Sequence, residues 1–242
     1  MSEVRLTDIY DNVSLKRGIV PGWGFSALLS VPGFELLFDT GADVKILKDN
    51  MELLEVSPNS LDGIFLSHPH CDHVGGLSAV LRINPDLKVY LTEAFPRVLK
   101  DKIKDYGAEL VEISEPEELL PNLHSTGEIR CDYRGNDLPE QSLILSTGKG
   151  PVVISGCAHP GISVIVKKAS EIMGESPYLV AGGFHLGSSE AGEIKDVIEE
   201  FQSRSVEKIA PTHCTGDRAT GMMQEAYGDD CLELGAGRVL EV

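Results

Sequence analysis

The chain predicts an α/β fold with helices covering sheets, and three observations carry that reading. Short apolar runs bounded by Gly, Pro or Asp recur along its length. Several are apolar at consecutive positions, as strands buried on both faces should be. Between them lie segments with apolar residues at i, i+3, i+4 and i+7, the stripe of a helix packed on a core. Pattern alone leaves the number of sheets open. With 242 residues, 25 Gly and 13 Pro spread through the chain, and no low-complexity run, one domain spanning 1–242 is expected.

In chain order, FELLFDTG (34–41) and GIFLSH (63–68) read as strands, followed by a short helical pattern, LSAVLRI (77–83). LKVYLT (87–92) is a strand, AFPRVLKDKIKDYG (94–107) a weaker helix, and AELVEI (108–113) a strand. SLILST (142–147) and GPVVISG (150–156) continue the series. In GISVIVKKASEIMG, residues Ile162, Ile165, Val166, Ala169, Ile172 and Met173 form one apolar stripe, and Gly174 stops the helix. YLVAGG (178–183) is a buried strand. GEIKDVIEEFQSR repeats the stripe at Ile194, Val197, Ile198 and Phe201 under an acidic outer face. VEKIAP (206–211) and GRVLEV (237–242) close the set.

Charge excludes some functions. Thirty-eight acidic against 21 basic residues give a formal charge of −17. Such a surface repels phosphate backbones and anionic membranes, so neither nucleic acid nor membrane is an expected partner. The five cysteines are scattered without a CxxC pair, and neither a signal peptide nor an apolar run near ~18 residues is present. These features predict a cytoplasmic protein with reduced thiols.

One stretch carries the chemistry. FLSHPHCDHVGGL (65–77) packs His68, His70, Asp72 and His73 into six positions. Pro69 biases His68 away from helical dihedrals, so the run reads as a loop leaving the C-terminal end of a strand, where α/β folds gather their chemistry. In extended chain, residues two apart point the same way, so His68 and His70 face one point while Asp72 and His73 turn toward a second. That arrangement suits two adjacent metal ions, which need further imidazoles. His159, His185 and His213 each follow a predicted strand, so six of seven histidines sit at strand exits and only His124 does not.

HxHxDH at 68–73 after an apolar strand, with FDTGAD (38–43) upstream, resembles the metallo-β-lactamase superfamily. GFSALLSVPGFELLFDTG, TGEIR, ISGCAHPGI, GGFHL and PTHCTG resemble one of its branches, the dihydropterin-type synthases. The resemblance implies a four-layer αββα sandwich of two mixed sheets with helices on the outer faces. It implies a first metal on His68, His70 and His159 and a second on Asp72, His73 and His213. Asp39 would then orient ligands by hydrogen bonding, against the alternative of a simple turn-forming Asp.

Two departures matter. Many hydrolases of the superfamily place a metal-bridging Asp where GGFHL puts His185, and one imidazole nitrogen does not bridge two ions easily. His185 is expected to bind the second metal terminally or to contact substrate, and one or two divalent ions remain open. Nitrogen donors favour zinc, with Mn, Fe or Mg as alternatives. Trp23 stands where relatives of the branch commonly carry His; it could stack on a flat substrate ring or simply pack. Cys71, Cys157 and Cys214, beside expected ligands, read as small buried fillers.

Asp72 and His185 are the residues expected to act in the chemistry, with Thr215 and Gly216 beside them as substrate contacts. Two reactions compete. The branch implies a transferase joining a pterin diphosphate to an aminobenzene ribotide with pyrophosphate release. The wider superfamily implies a hydrolase of phosphoesters, esters or lactones using metal-bound hydroxide. A noncatalytic metal-binding sensor is a third, weaker reading. Either enzyme takes a small anionic substrate; the oligomeric state is not legible.

Overall fold

The computed structural model describes residues 4–242. Its elements run β1 (Arg5–Tyr10), β2 (Ser26–Val31), β3 (Phe34–Phe38), α1 (Val44–Leu53), β4 (Gly63–Phe65), α2 (Cys71–Val74), α3 (Leu77–Leu81), β5 (Lys88–Thr92), α4 (Arg97–Tyr106) and β6 (Glu109–Ile113). There follow β7 (Glu117–Leu120), β8 (Leu123–Ser125), β9 (Ile129–Tyr133), β10 (Asn136–Glu140), β11 (Leu143–Leu145) and β12 (Val152–Ser155). The last are α5 (Ile162–Met173), β13 (Leu179–Gly183), α6 (Ala191–Ser203), β14 (Lys208–Thr212), α7 (Asp217–Tyr227) and β15 (Val239–Glu241). Contacts divide the chain into two compact units, one ending at Ile113 and taking back Gly235–Val242, the other Ser114–Leu234.

The first unit holds a seven-stranded mixed sheet in the order β15-β1-β2-β3-β4-β5-β6. β15, β1, β2 and β3 pair antiparallel, then β3, β4, β5 and β6 run parallel. Leu47 and Met51 of α1, Val80 and Leu81 of α3 and Ile103 of α4 pack with Leu37, Ile64, Val89 and Leu91 of the sheet. Leu36, Phe38 and Phe65, pointing the other way, are fully buried too, and the Phe38 and Phe65 rings stack at 5.4 Å. Burial on both faces is why these strands read as continuous apolar runs rather than alternating ones. The Asp43 carboxylate caps α1, accepting from Lys45 N and Ile46 N.

In the second unit six strands run β14-β13-β12-β11-β8-β7, with β14, β13 and β12 parallel and the rest antiparallel; β9 and β10 form a separate hairpin. Ile165, Val166 and Ala169 of α5, Ile194 and Phe201 of α6, and Met223 of α7 share a core with Val153, Val180 and Ile209. Gly174 ends α5 at φ 73, the left-handed stop its position predicts. No helix among the described residues is long and apolar enough to cross a membrane.

Both sheets therefore contain adjacent parallel strands, and the ligand-type residues follow their C-terminal ends. Asp39 succeeds β3 and His68 lies just past β4 in the first unit. His159, His185 and His213 lie just past β12, β13 and β14 in the second. His124 is inside β8 rather than past a strand end.

Candidate functional site

In the first unit the fully buried Asp39 carboxylate organises the histidine run. Its Oδ1 accepts from Ser67 N at 2.8 Å, and its Oδ2 accepts from Ser67 Oγ and from His73 Nδ1, each at 2.7 Å. Ser67 has one hydroxyl proton and gives it to Asp39. Its oxygen therefore accepts from His68 Nδ1, 2.9 Å away. The network assigns the Nδ1–H tautomer to both rings and directs the lone pair of each Nε2 outward as a donor to an ion. Burial pushes the Asp39 carboxyl above the usual range; the charge and hydrogen bond of His73, with the two hydrogen bonds of Ser67, offset only part of that rise. The orienting role expected of Asp39 thus has its geometry, and Ser67 is a partner the sequence did not single out.

The run itself is not all loop. His68 to His70 is extended, but Cys71–Val74 forms one helical turn, with His73 N bonded to His70 O at 2.9 Å. That turn brings the three rings together: His68 lies 4.7 Å from His70 and 4.1 Å from His73 by centroids, and Asp72 Oδ2 lies 3.8 Å from His73 Nε2. It also points Cys71 outward. Cys71 is exposed, so the expectation of a buried filler fails there, because the residue lies on the outer side of the turn. Trp23 is 63% exposed.

The second unit repeats the device with a residue the sequence concealed. Glu140, at the end of β10, is buried and accepts from Cys157 N (2.9 Å), Ala158 N (2.8 Å) and His159 N (2.9 Å), while its Oε2 holds His159 Nδ1 at 2.9 Å. His159 is thereby fixed with Nε2 as its donor atom, just as His68 and His73 are. Burial pushes the Glu140 carboxyl up. The hydrogen bond and charge of His159, with the backbone N–H groups, outweigh it and hold the group below the usual range. A carboxylate depressed in the folded state stabilises the fold above its unfolded value, near ~4.3, and that contribution is lost as pH falls through the folded value. Urea unfolding across that acid window should show a flatter stability–pH curve for Glu140→Gln than for the parent chain; an unchanged slope would contradict the pairing.

Backbone strain marks the same places. Asp39, Ala158, His185 and His213 have φ of 53, 62, 54 and 53°, a region that costs non-glycine residues of order 1–3 kcal/mol each. Gly216, at φ 79, is needed for contact: an added Cβ would lie 2.6 Å from the Gly187 Cα. Thr215, expected as a substrate contact, is fully buried, donates Oγ–H to Thr212 O at 2.7 Å and accepts from Phe184 N at 3.1 Å. Its proton is committed to building this turn and is not available for substrate.

Around His159 and His185 stand further groups. The two rings lie 4.5 Å apart, and Tyr133, at the tip of the β9–β10 hairpin, contacts both at 4.5 and 5.5 Å. Arg134 sits over the Tyr133 ring at 5.1 Å and is exposed, placing a cation beside the histidines of a strongly acidic chain. His185 is raised above its usual value, first by its hydrogen bond with Cys214. Burial pushes the Cys214 thiol up, but hydrogen bonds to Cys157 and His185 and the imidazole charge bring it down to about 6.

The donor chemistry fits divalent ions of the zinc type: imidazoles with assigned tautomers, one partly exposed carboxylate, and supporting carboxylates behind them. Such a site on mixed α/β sheets defines a class. Residues 21–213 match the family model described as the metallo-beta-lactamase superfamily, and the chain belongs to that superfamily. Among individual relatives, it is 31% identical over 246 residues to the 7,8-dihydropterin-6-methyl-4-(beta-D-ribofuranosyl)-aminobenzene-5'-phosphate synthase of Methanocaldococcus jannaschii, covering 85% of this chain and 84% of that protein. It superposes on Tm1679, described as a metal-dependent hydrolase of the beta-lactamase superfamily, with TM-score 0.82 and 28% identity over 99% of each chain. A diphosphatase from the PhnP family shares the fold at TM-score 0.66 and 14% identity, over 100% of this chain and 98% of that one.

Proposed function

We propose that this chain is a metal-dependent transferase of its superfamily. It joins a pterin carrying a diphosphate leaving group to an aminobenzene ribotide and releases pyrophosphate in a reducing, cytoplasmic setting. The reading is supported by a relative named as a synthase of a dihydropterin–aminobenzene ribotide, which matches across most of both chains. The observation that carries metal dependence is the repeated device of a buried carboxylate holding histidine Nδ1, Asp39 in one unit and Glu140 in the other.

His68, His70 and His159 would hold one ion, and Asp72, His73 and His213 a second, with zinc favoured by the nitrogen-rich set. The chemistry such an ion would supply is neutralisation of negative charge on the diphosphate oxygens of the leaving group. The chain's own residues do the rest. Arg134 adds positive charge for an anionic substrate, in a protein whose surface otherwise repels one. Tyr133 and Trp23 offer aromatic faces for flat rings. Asp72, partly exposed, takes the proton lost by the nucleophilic substrate as the new C–C or C–N bond forms and the C–O bond to diphosphate breaks.

A hydrolase acting on a phosphoester, ester or lactone is the second reading, favoured by the description of the structure at TM-score 0.82. One assay separates them. The metal-loaded protein is given a dihydropterin diphosphate with and without an aminobenzene ribotide, and separately phosphodiester and lactone substrates. Pyrophosphate release that requires both organic substrates is expected; turnover of a single substrate with water alone would overturn the transferase reading.

A further inference from the structure

Three donors of the second unit remain outside that ligand set. The ligand atoms of Cys157, His185 and Cys214 lie within 4.8 Å of one another. They follow the C-terminal ends of β12, β13 and β14, three adjacent parallel strands, so the sheet fixes their spacing. The thiol of Cys214 is the middle member, hydrogen-bonded to His185 and donating to the Cys157 carbonyl at 3.5 Å.

Local sequence makes room for this sulfur. A Cβ on Gly183 would stand 2.7 Å from Cys214 Sγ and 2.3 Å from the Gly156 carbonyl, so only glycine lets the thiol occupy that space. Nδ1 of His185 is buried and makes no hydrogen bond among the described residues. A buried polar atom left so costs about 1–3 kcal/mol, which argues that the ring is placed for a ligand.

We propose that Cys157, His185 and Cys214 form a thiolate site for a soft or borderline ion of the zinc, cadmium or copper(I) class, built on donors other than the six proposed histidine and carboxylate ligands. Two sulfurs and one imidazole are a donor set that selects such ions over Mg2+ or Mn2+. Tetrahedral zinc–sulfur and zinc–nitrogen bonds imply donor separations of roughly 3.5–3.8 Å, so side-chain rotation closes the present spacing. Loading releases two protons to solvent, one from Cys157 and one held by the Cys214–His185 pair, and the two thiolates balance a divalent charge. His185, expected to serve the second ion or the substrate, becomes a ligand of the sulfur-bound ion. The inference goes beyond the proposed reaction and stands whichever substrate is turned over.

Cadmium is the probe. Metal-free protein titrated with Cd2+ should develop the ultraviolet sulfur-to-cadmium charge-transfer band with one equivalent of thiolate-bound ion. The band should persist in His68→Ala and in Cys71→Ser/Cys131→Ser, weaken in affinity at least tenfold in His185→Ala, and vanish in Cys157→Ser/Cys214→Ser. Where a variant fails to fold, alkylation of the parent chain read by mass spectrometry decides, since bound Cd2+ should shield Cys157 and Cys214 but not Cys71. Absence of the band, its survival in the double serine variant, or equal alkylation of these thiols with and without Cd2+ would overturn the assignment. Loss of transferase activity in His68→Ala with the band intact separates a failure of the reaction proposal from a failure of this one.

Discussion

Asp39→Ala is expected to cost about 3–5 kcal/mol of stability and to weaken ion binding. The carboxylate accepts three hydrogen bonds, from Ser67 N, Ser67 Oγ and His73 Nδ1, all in a fully buried site. Alanine leaves those donors without an acceptor, the costlier half of any buried hydrogen bond. For a chain of this size the loss corresponds to roughly 6–20 °C in Tm, readable by calorimetry. Asp39→Asn separates the two consequences. Its amide oxygen can still accept from Ser67 N, but its NH2 cannot accept from both Ser67 Oγ and His73 Nδ1. Stability should fall less, while ion affinity falls about 10–100-fold as His73 loses its fixed tautomer. Unchanged affinity in Asp39→Asn would show Asp39 to be only the turn residue that the DTG context also allowed.

The second large effect concerns the ligands themselves. Removing His68 or His159 should reduce ion affinity by more than the roughly 10–100-fold that losing a supporting partner costs, with activity falling accordingly. His68 is wholly buried and held through Ser67, and His159 is held by Glu140, so neither ring can be replaced by a neighbour shifting into place. Isothermal titration of metal-free variants with Zn2+ reads the affinity directly. Affinities equal to the parent chain's would remove both residues from the site.

Much of this was legible in the sequence because burial imposes pattern. Strands covered on both faces, such as β4, β12 and β13, are apolar at nearly every position, and α5 and α6 must carry a stripe. Histidines are few, so their recurrence after strand ends stood out. Elements without such constraints escaped. β7 reads EELL and β10 reads NDLPE, each with charged or exposed positions, and β10 carries a proline, so neither announces a strand. α1 begins at a capping Asp43 but has a stripe diluted by lysines and acids. α7, DRATGMMQEAY, contains an interior glycine and buries chiefly Ala219 and Met223, too little apolar surface to make a stripe.

The site was readable in its ligands and opaque in their supports. A histidine one to four positions past a strand is a local signal. Glu140 is not: it sits 19 residues from His159 within LPEQS, and only the fold brings its carboxylate to the loop after β12. Ser67 was hidden by its ordinariness, and the outward direction of Cys71 by the helical turn that replaces an extended run. Asp39 was visible because the turn motif around it is short and placed directly after a strand.

The central claim is that a buried carboxylate fixes the donor atom of a ligand histidine, as Asp39 does for His73. A double-mutant cycle in zinc affinity tests it most directly, using Asp39→Asn, His73→Ala and the two combined, with folding checked by circular dichroism. If Asp39 acts through His73, the combined variant loses far less than the sum of the single losses, because removing the ring already removes what the carboxylate orients. Fully additive losses would contradict the account, showing that the two residues act on the ion independently.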